Sequence, residues 1–194
     1  MELFLLNIQW MAFNASLATI GTVLGWLAWK STGYHRILFG IGWLLFIPNT
    51  IYMVTDMAHL TWQLPAVDPI MWLPIITQFM LLAMLGIVTF VVGFFPIEQI
   101  LHHLRKHKYT DYTLYIILIV NIFIGIGVML GREYRLHSWY VVTQPVRVIA
   151  SAVDFFSSFE LIAISTIFGV IGFIVYLLLR NDVIGFIPKK WRTN

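Results

Sequence analysis

The stretch IMWLPIITQFMLLAMLGIVTFVVGFF, residues 70–95, carries no charged side chain. A helix needs about 20 mostly apolar residues to cross a hydrocarbon core roughly 30 Å thick. Residues 70–95 therefore predict a helix that spans a membrane. The same criterion of length and apolar character can be applied to the rest of the chain.

Apolar runs of similar length, bounded by charged or turn-forming residues, occur on both sides of this stretch. Together they predict an all-α integral membrane protein, a bundle of about five transmembrane helices. The sequence shows no internal repeat and no linker long enough to divide domains, so residues 1–194 are predicted to form a single transmembrane helical domain. The spans are predicted near residues 3–29, 37–57, 70–95, 112–130 and 161–179.

The composition excludes an ordinary soluble domain. Hydrophobic residues make up 60% of the chain and charged residues only 11%, against roughly 25% charged residues in soluble proteins. The chain has no cysteine, which excludes disulfides, thiolate nucleophiles and thiolate metal sites. Its basic residues lie beside apolar runs, a pattern that favours contact with anionic lipid at the cytoplasmic face over nucleic-acid binding.

Charge and tryptophan placement predict the orientation. No basic residue precedes the first run and Lys30 follows it, so we expect a retained first helix with an outside N-terminus and, after five spans, a cytoplasmic C-terminus. This topology leaves only Arg132, Arg135 and Arg147 outside. The basic residues that it places in the cytoplasm are Lys30, Arg36, Arg105, Lys106, Lys108, Arg180, Lys189, Lys190 and Arg192. The interfacial tryptophans are Trp10, Trp62, Trp72 and Trp139 outside, and Trp26, Trp29 and Trp191 inside.

Other segments predict surface helices and packing contacts. Residues 97–107 and the residues after Gln144 combine an apolar face with a polar one, so we predict one or two interfacial amphipathic helices. Asn7 and Asn14 share a face of the first helix with small residues, a pattern typical of close helix packing.

The residues PNTIYMVTDMAHL, 48–60, at the outer end of the second span, contain an ordered polar stripe. Polar groups that face lipid without partners cost several kcal/mol each, so the stripe must face the bundle interior or water. Pro48 is expected to kink the helix and to free a backbone carbonyl that needs a polar partner. A kink beside a polar stripe suggests a cavity. The stripe falls within a sector of roughly 80° on a helix and consists of Asn49, Tyr52, Asp56 and His59.

Two interpretations of Asp56 stay open. In the first, Asp56 and His59 bind a divalent cation, or act as acid and base on a substrate at the outer leaflet. Glu133 or His137 would assist them. In the second, Asp56 forms a structural ion pair with one of the two arginines that follow the fourth span, and His59 caps a helix end.

The segment GREYRLHSW, 131–139, closes the fourth span and carries concentrated charge. Arg132 and Arg135 either hold a phosphate or carboxylate by paired hydrogen bonds or extend to water as an interface cluster. The metal candidates are Asp56 and His59, and the sequence leaves any cofactor open. The candidate ligand-binding residues are Asn49, Tyr52, Asp56, His59, Arg132, Glu133 and Arg135.

These two segments also carry a family resemblance. The matching features are Pro48-Asn49, Tyr52, Thr55-Asp56, His59-Leu60, Gly131-Arg132 and Ser138-Trp139. In these features the chain resembles a family of bacterial membrane proteins known as domain of unknown function 1361. The resemblance implies a multi-pass protein of the bacterial plasma membrane with outer-facing signature residues. It implies no reaction.

Three functions fit these residues, and whether the protein is an enzyme stays open. One is binding or transport of a cation or a small polar or anionic solute through an outer-facing pocket. Secondary transporters are usually built from inverted repeats, which five spans without an internal repeat do not provide. Oligomerisation could supply the missing pathway. Another is a membrane enzyme acting on a lipid-linked or envelope substrate. The third is an accessory subunit of a membrane complex. From the sequence we favour binding or transport. A closed polar network would favour the subunit, and a one-sided pocket would favour the enzyme over transport.

Overall fold

The computed structural model describes residues 2–104 and 111–185. Within these ranges, five helical stretches are long and apolar enough to cross a membrane, which confirms an all-α, multi-pass membrane protein. The stretches are Glu2–Lys30, Gly33–Ala66, Pro69–Leu101, Thr113–Glu133 and Phe159–Val183. Some residues on which the predicted orientation also rests lie outside the described ranges. They are Arg105, Lys106, Lys108, Lys189, Lys190, Trp191 and Arg192.

The helices are labelled in chain order. The spans contain α1 (Glu2–Lys30), α2 (Gly33–Phe46), α3 (Pro48–Thr55), α5 (Trp72–Leu104), α6 (Asp111–Glu133) and α9 (Phe159–Gly185). The connections contain α4 (Leu60–Gln63), α7 (Tyr140–Thr143) and α8 (Pro145–Ser157), with 3₁₀ turns at Asp56–His59, Leu64–Ala66 and Pro69–Met71.

Successive spans run in opposite directions, so the connections alternate between the two ends of the bundle. The N-terminus, residues 56–71 and residues 134–158 lie at one end, which we call the N-terminal face. Residues 31–32 and the C-terminal ends of α5 and α9 lie at the other end, the opposite face. The sequence predicts that the N-terminal face is outside the cell.

Helix pairs and a bridging helix build the bundle. α1 packs along α2 and α5, α6 packs along α9, and α3 contacts both α5 and α6. Trp43 and Phe94 belong to a buried cluster in the half nearer the opposite face, whereas Met53 and Phe79 belong to a cluster in the other half. In lipid, close packing of this kind replaces the hydrophobic effect as the force between helices.

α6 and α9 cross at glycines that leave no room for a side chain. A Cβ atom built on Gly169 would lie 2.6 Å from the Ile122 Cα atom and 2.8 Å from the Asn121 carbonyl oxygen. Gly127 of α6 faces α3, where a Cβ atom would lie 2.6 Å from a ring carbon of Pro48. Small residues therefore set both distances of approach.

α5 continues through Pro96 because side chains from other helices support its backbone. Proline has no amide hydrogen for the carbonyl of Val92, four residues earlier. The Trp26 indole nitrogen donates to that carbonyl at 3.1 Å. The Trp43 indole nitrogen donates to the next carbonyl, that of Gly93, at 2.8 Å. Two tryptophans thus stabilise the helix where its own hydrogen-bond ladder is interrupted.

The continuation of α5 shows that the prediction of a separate interfacial helix at residues 97–107 is wrong for its described part. Residues 97–104 extend the spanning helix, and Glu98 within them is buried. Ile97 and Leu101 pack against the core cluster near the opposite face. Their spacing therefore reflects contact with the bundle, while residues 105–107 lie outside the described residues. The second predicted amphipathic helix does form, as α8.

The regular helix of the second span is interrupted at Ile47, directly before Pro48, where the sequence predicted a kink. α2 ends at Phe46 and α3 begins at Pro48. Asn49 Nδ2 donates to the Phe46 carbonyl at 2.8 Å, and the Thr50 hydroxyl donates to the Ile47 carbonyl at 2.7 Å. The side chains of the two residues that follow the proline therefore hydrogen-bond the backbone carbonyls at the interruption.

Gly169→Ala is expected to destabilise the protein, because the added methyl group would overlap the α6 backbone. Overpacking of this kind typically costs about 1–3 kcal/mol. Gly40→Ala is the matched control, since nothing lies within 4 Å of a Cβ atom at Gly40 and alanine favours a helix. Thermal unfolding in detergent should give a lower midpoint for Gly169→Ala and an unchanged or higher midpoint for Gly40→Ala. Equal midpoints would contradict the tight crossing.

The cysteine-free chain permits a direct test of orientation. Thr61→Cys places a thiol at an exposed position of the N-terminal face, and Thr32→Cys places one in the exposed turn at the opposite face. With the N-terminus outside, a membrane-impermeant maleimide should label Thr61→Cys in intact cells and Thr32→Cys only after permeabilisation. The reverse pattern would overturn the predicted orientation.

Candidate functional site

A cavity of about 770 Å³ lies at the N-terminal face between α1, α3, α6 and residues 136–148. All seven candidate ligand-binding residues from the sequence line it. The structure thus brings together side chains from the second span and from the end of the fourth, while what they bind stays a prediction. The seven are Asn49, Tyr52, Asp56, His59, Arg132, Glu133 and Arg135.

The cavity is polar at the N-terminal face and apolar deeper in the bundle. Its apolar part is lined by Leu17, Leu44, Leu45, Phe123 and Ile126. Leu44 is 39% exposed and Phe123 is 56% exposed. Both residues belong to membrane-spanning stretches, so their exposed surface lies at the depth that lipid would cover. The cavity thus extends to the side of the protein that lipid would cover.

Asp56 is a buried carboxylate whose side chain is only 2% exposed. Asn14 of α1 donates to its Oδ2 atom at 3.0 Å. The Oδ1 atom lies 3.9 Å from His59 Nδ1, which is beyond hydrogen-bond distance. Within residues 2–104 and 111–185, Asp56 forms no ion pair with Arg132 or Arg135. The structural ion pair proposed from the sequence is therefore wrong, and a neutral amide takes its place.

His59 is held between α1 and its own turn. Its Nδ1 atom is 3.0 Å from the backbone carbonyl oxygen of Asp56. Its ring lies beside Trp10 and Trp62, with ring centroids 5.7 and 6.0 Å away. In the tautomer that donates from Nδ1, the Nε2 atom remains a hydrogen-bond acceptor.

Tyr52 lies among the charges of the cavity. It is half-buried, and the charges of Asp56, Arg132 and Arg135 all act on its hydroxyl group. Arg132 Nη1 donates to the Thr55 carbonyl at 3.3 Å, which ties the end of α6 to the end of α3. Basic and acidic groups from two spans therefore converge around one phenol.

Arg135 has a backbone conformation that favours glycine. Its φ angle is 50°, and the amides of Tyr134 and Leu136 both donate to the Leu130 carbonyl, at 3.2 and 3.5 Å. Arg135 therefore ends α6 in the left-handed position that glycine usually takes. For a residue with a Cβ atom this conformation costs roughly 1–2 kcal/mol. The chain thus has an arginine at a position where glycine, which has no side chain, would fit the backbone conformation best.

Residues 134–144, which we call the strap, cover the cavity. The hydroxyl group of Ser138 accepts a hydrogen bond from Asn49 Nδ2 at 3.1 Å. Trp139 packs edge-on against Phe13 of α1, with 6.1 Å between ring centroids. The strap therefore joins the end of α6 to α1 and α3.

Polar contacts fasten the strap to α8. The Tyr134 hydroxyl donates to Asp154 Oδ2 at 2.7 Å, and this hydrogen bond to a carboxylate raises the pKa of Tyr134. Arg147 Nη2 donates to the Tyr134 carbonyl at 3.3 Å. The Arg147 guanidinium also lies over the Tyr140 ring, 5.0 Å from its centroid. The strap and α8 thus form one connected wall of the cavity.

A metal site at Asp56 and His59 gains no support from the geometry. In the described ranges, no three histidine or carboxylate side chains come together in a way that would hold a metal ion. His137 stacks on Trp139, 4.4 Å between ring centroids, and Glu133 is exposed. Two side chains alone are a poor site for a divalent cation.

The polar partners that α1 supplies were not predicted from the sequence. Asn14 holds Asp56, and Asn7 exchanges hydrogen bonds of 2.8 and 3.0 Å with Gln63. Gln78 of α5 donates to the Phe4 carbonyl at 3.1 Å. An asparagine within a membrane span needs a polar partner, and that was the available signal. Which helix supplies the partner depends on packing.

A second buried polar cluster lies near the opposite face. Arg180 Nη1 donates to Glu98 Oε1 at 2.5 Å, and the Tyr176 hydroxyl donates to Glu98 Oε2. Glu98 is 6% exposed and Tyr176 is fully buried. No role for Glu98 or Tyr176 was predicted from the sequence, and Arg180 was predicted only to be a cytoplasmic charge. The cluster ties α5 to α9.

A comparison with known protein families confirms the family resemblance seen in the sequence. Residues 13–178 match the family described as Protein of unknown function (DUF1361). The chain belongs to this family. The matched range includes all seven candidate residues of the cavity. No curated protein and no solved structure matches the chain. Membership of the DUF1361 family therefore supports a membrane protein and lends it no activity.

Glu98→Ala is expected to destabilise the protein, because it leaves Arg180 and the buried Tyr176 hydroxyl without their acceptor. An unsatisfied buried group costs about 1–3 kcal/mol. Tyr176→Phe is the control that keeps the ion pair and should cost about 1 kcal/mol. Thermal unfolding in detergent should rank the parent above Tyr176→Phe and Tyr176→Phe above Glu98→Ala. A Glu98→Ala protein as stable as the parent would contradict a structural role for the cluster.

Proposed function

We propose that the protein binds an amphiphile whose headgroup carries an anionic group, in the cavity at the N-terminal face. One observation carries the proposal: the cavity has a charged end at that face and an apolar end that reaches the lipid-facing surface. A polar solute would need only the charged end of the cavity. An amphiphile fits both.

Two arginines and a phenol supply donors for the headgroup. Guanidinium groups bind phosphate and carboxylate through charge-assisted hydrogen bonds. The strain at Arg135 supports a role for its side chain, because glycine would end α6 at a lower backbone cost. Arg132 and Tyr52 line the same cavity.

The apolar part of the cavity accommodates a hydrocarbon tail. Leu44 and Phe123 line this part and are exposed on the side of the bundle, which offers a route from the lipid without passage through water. Leu17 and Ile126 continue the apolar wall inward. Each methylene group moved from water to such surroundings contributes about 0.8 kcal/mol, but a lipid exchanges one apolar environment for another. Headgroup contacts should therefore dominate selectivity.

The same geometry argues against passage of a solute through the described bundle. The buried cluster that includes Trp43, Phe90 and Phe94 fills the half nearer the opposite face. The Glu98 cluster closes the space between α5 and α9 there. Binding from one side needs no path through this core, so we favour binding over transport.

We further propose that the membrane is a bacterial plasma membrane and that the N-terminal face is outside, so the ligand comes from the outer leaflet. The resemblance to a bacterial family and the distribution of basic residues support this placement. Anionic lipid would then contact the basic residues of the cytoplasmic side.

A second candidate function is catalysis on the bound headgroup. One observation favours it: the Nδ1 atom of His59 is 3.0 Å from a backbone carbonyl, which fixes the ring and leaves Nε2 as a proton acceptor in the donating tautomer. Release of a headgroup fragment from bound lipid by the parent protein and not by His59→Gln would support an enzyme. Equal release by both would exclude His59 as its base.

Arg135→Gly should weaken binding without weakening the fold, because glycine relieves the left-handed strain while the guanidinium is lost. Loss of hydrogen bonds to a charged group costs about 1.5–3 kcal/mol, or roughly tenfold or more in affinity. The readout is the rise of the unfolding midpoint on adding phosphatidylglycerol, compared with diacylglycerol of the same chains.

The control for this test is Arg36→Ala, which removes one positive charge at the opposite face. The parent and Arg36→Ala should be stabilised by phosphatidylglycerol but not by diacylglycerol. Arg135→Gly should keep or raise the lipid-free midpoint and lose most of the response. A full response in Arg135→Gly, or none in the parent, would contradict the proposed site.

A further inference from the structure

We propose that the headgroup also carries an ammonium group, which binds at Asp56, so that the ligand is a phospholipid of the phosphoethanolamine class. This inference rests on the proposed function and names its ligand. The charged end of the cavity is lined by two carboxylates, Asp56 and Glu133, and by the guanidinium groups of Arg132 and Arg135. One zwitterionic headgroup would pair with charges of both signs.

In the described part of the chain, Asp56 has no arginine or lysine within ion-pair distance. The carboxylate accepts a hydrogen bond from the Asn14 amide at Oδ2, while its Oδ1 atom has His59 Nδ1 at 3.9 Å. Its side chain is 2% exposed, and in the described part of the chain it has no arginine partner. A buried carboxylate held mainly by a neutral amide costs several kcal/mol unless a positive charge compensates it. A cationic group of the ligand would supply that compensation.

Aromatic rings line the same cavity as Asp56. Trp10, His59 and Trp62 all line the cavity beside Asp56. The His59 ring lies 5.7 Å from the Trp10 ring and 6.0 Å from the Trp62 ring, centroid to centroid. Trp10 also precedes Asn14 by about one turn of α1, which places it near the carboxylate that Asn14 holds. Indole faces attract ammonium groups, and a carboxylate beside them strengthens that attraction.

The anionic partner of this headgroup lies with the arginines. Arg132 and Arg135 come from the end of α6, and Arg132 Nη1 donates to the carbonyl of Thr55, the residue before Asp56. A phosphodiester has two non-bridging oxygens that share its negative charge, and each can accept more than one hydrogen bond from the two guanidinium groups and the Tyr52 hydroxyl. A purely anionic headgroup would leave Asp56 uncompensated, and a purely cationic one would leave the arginines without an acceptor.

The test compares lipids with identical chains and different headgroups. Purified full-length protein in detergent is titrated with phosphatidylethanolamine and phosphatidylglycerol, and bound lipid is counted by native mass spectrometry. An additional charged hydrogen bond is worth about 1.5 kcal/mol or more, so the parent should bind phosphatidylethanolamine roughly tenfold more tightly. Asp56→Asn keeps the shape and removes the charge, and it should abolish the preference while leaving phosphatidylglycerol binding intact. Asp68→Asn, in an exposed connection outside the cavity, should behave as the parent.

The outcomes separate this inference from the proposed function. Equal affinity of the parent for the two lipids would overturn the ammonium site and leave an anionic headgroup site standing. Binding of neither lipid would overturn the proposed function itself. Soluble phosphoethanolamine serves as a third ligand: binding as tight as that of the lipid would support the headgroup chemistry and overturn the lipid source. If Asp56→Asn does not accumulate, the ratio measured for the parent alone decides the inference.

Discussion

The break of the second span at Pro48 is the constraint on which the site depends. Proline ends the hydrogen-bond ladder of α2, and Asn49 and Thr50 turn their side chains back to carbonyls at the break. The proline ring fits against Gly127 of α6, where a side chain would collide. α3 is thereby held against α6, and the polar stripe that begins at Asn49 faces a space between helices. Without the break and the glycine opposite it, the stripe would have no cavity.

The two buried carboxylates, one in each half of the bundle, have different partners. Near the opposite face, Glu98 has a phenol and a guanidinium as partners, so its negative charge is compensated within the protein. Near the N-terminal face, Asp56 has Asn14, and the arginines of the cavity do not pair with it. In a membrane, buried polar groups need partners. The closed cluster therefore indicates a structural role, and the open one is where an external ligand would complete the pairing.

Length and hydropathy predicted the five spans because each span must be apolar along about 20 residues whatever its neighbours are. The stripe was predictable for a similar reason, since helical spacing alone aligns Asn49 with Asp56. The pairing of Asn14 with Asp56 could not be predicted from the sequence, because it depends on how α1 packs against α3. Residues 97–104 were assigned to a surface helix because they combine an apolar face with a polar one. The donor that lets α5 continue comes from Trp26, which is distant in sequence.

Photo-crosslinking with a phospholipid that carries a diazirine at the end of one acyl chain tests the central claim, that an amphiphile enters the cavity. Leu17 is 8% exposed and lines the cavity, whereas Leu82 is 6% exposed and lies outside it. Lipid around the bundle reaches neither side chain. The account predicts crosslinks at Leu17 and none at Leu82. Crosslinks confined to exposed positions, with Leu17 as unreactive as Leu82, would contradict it.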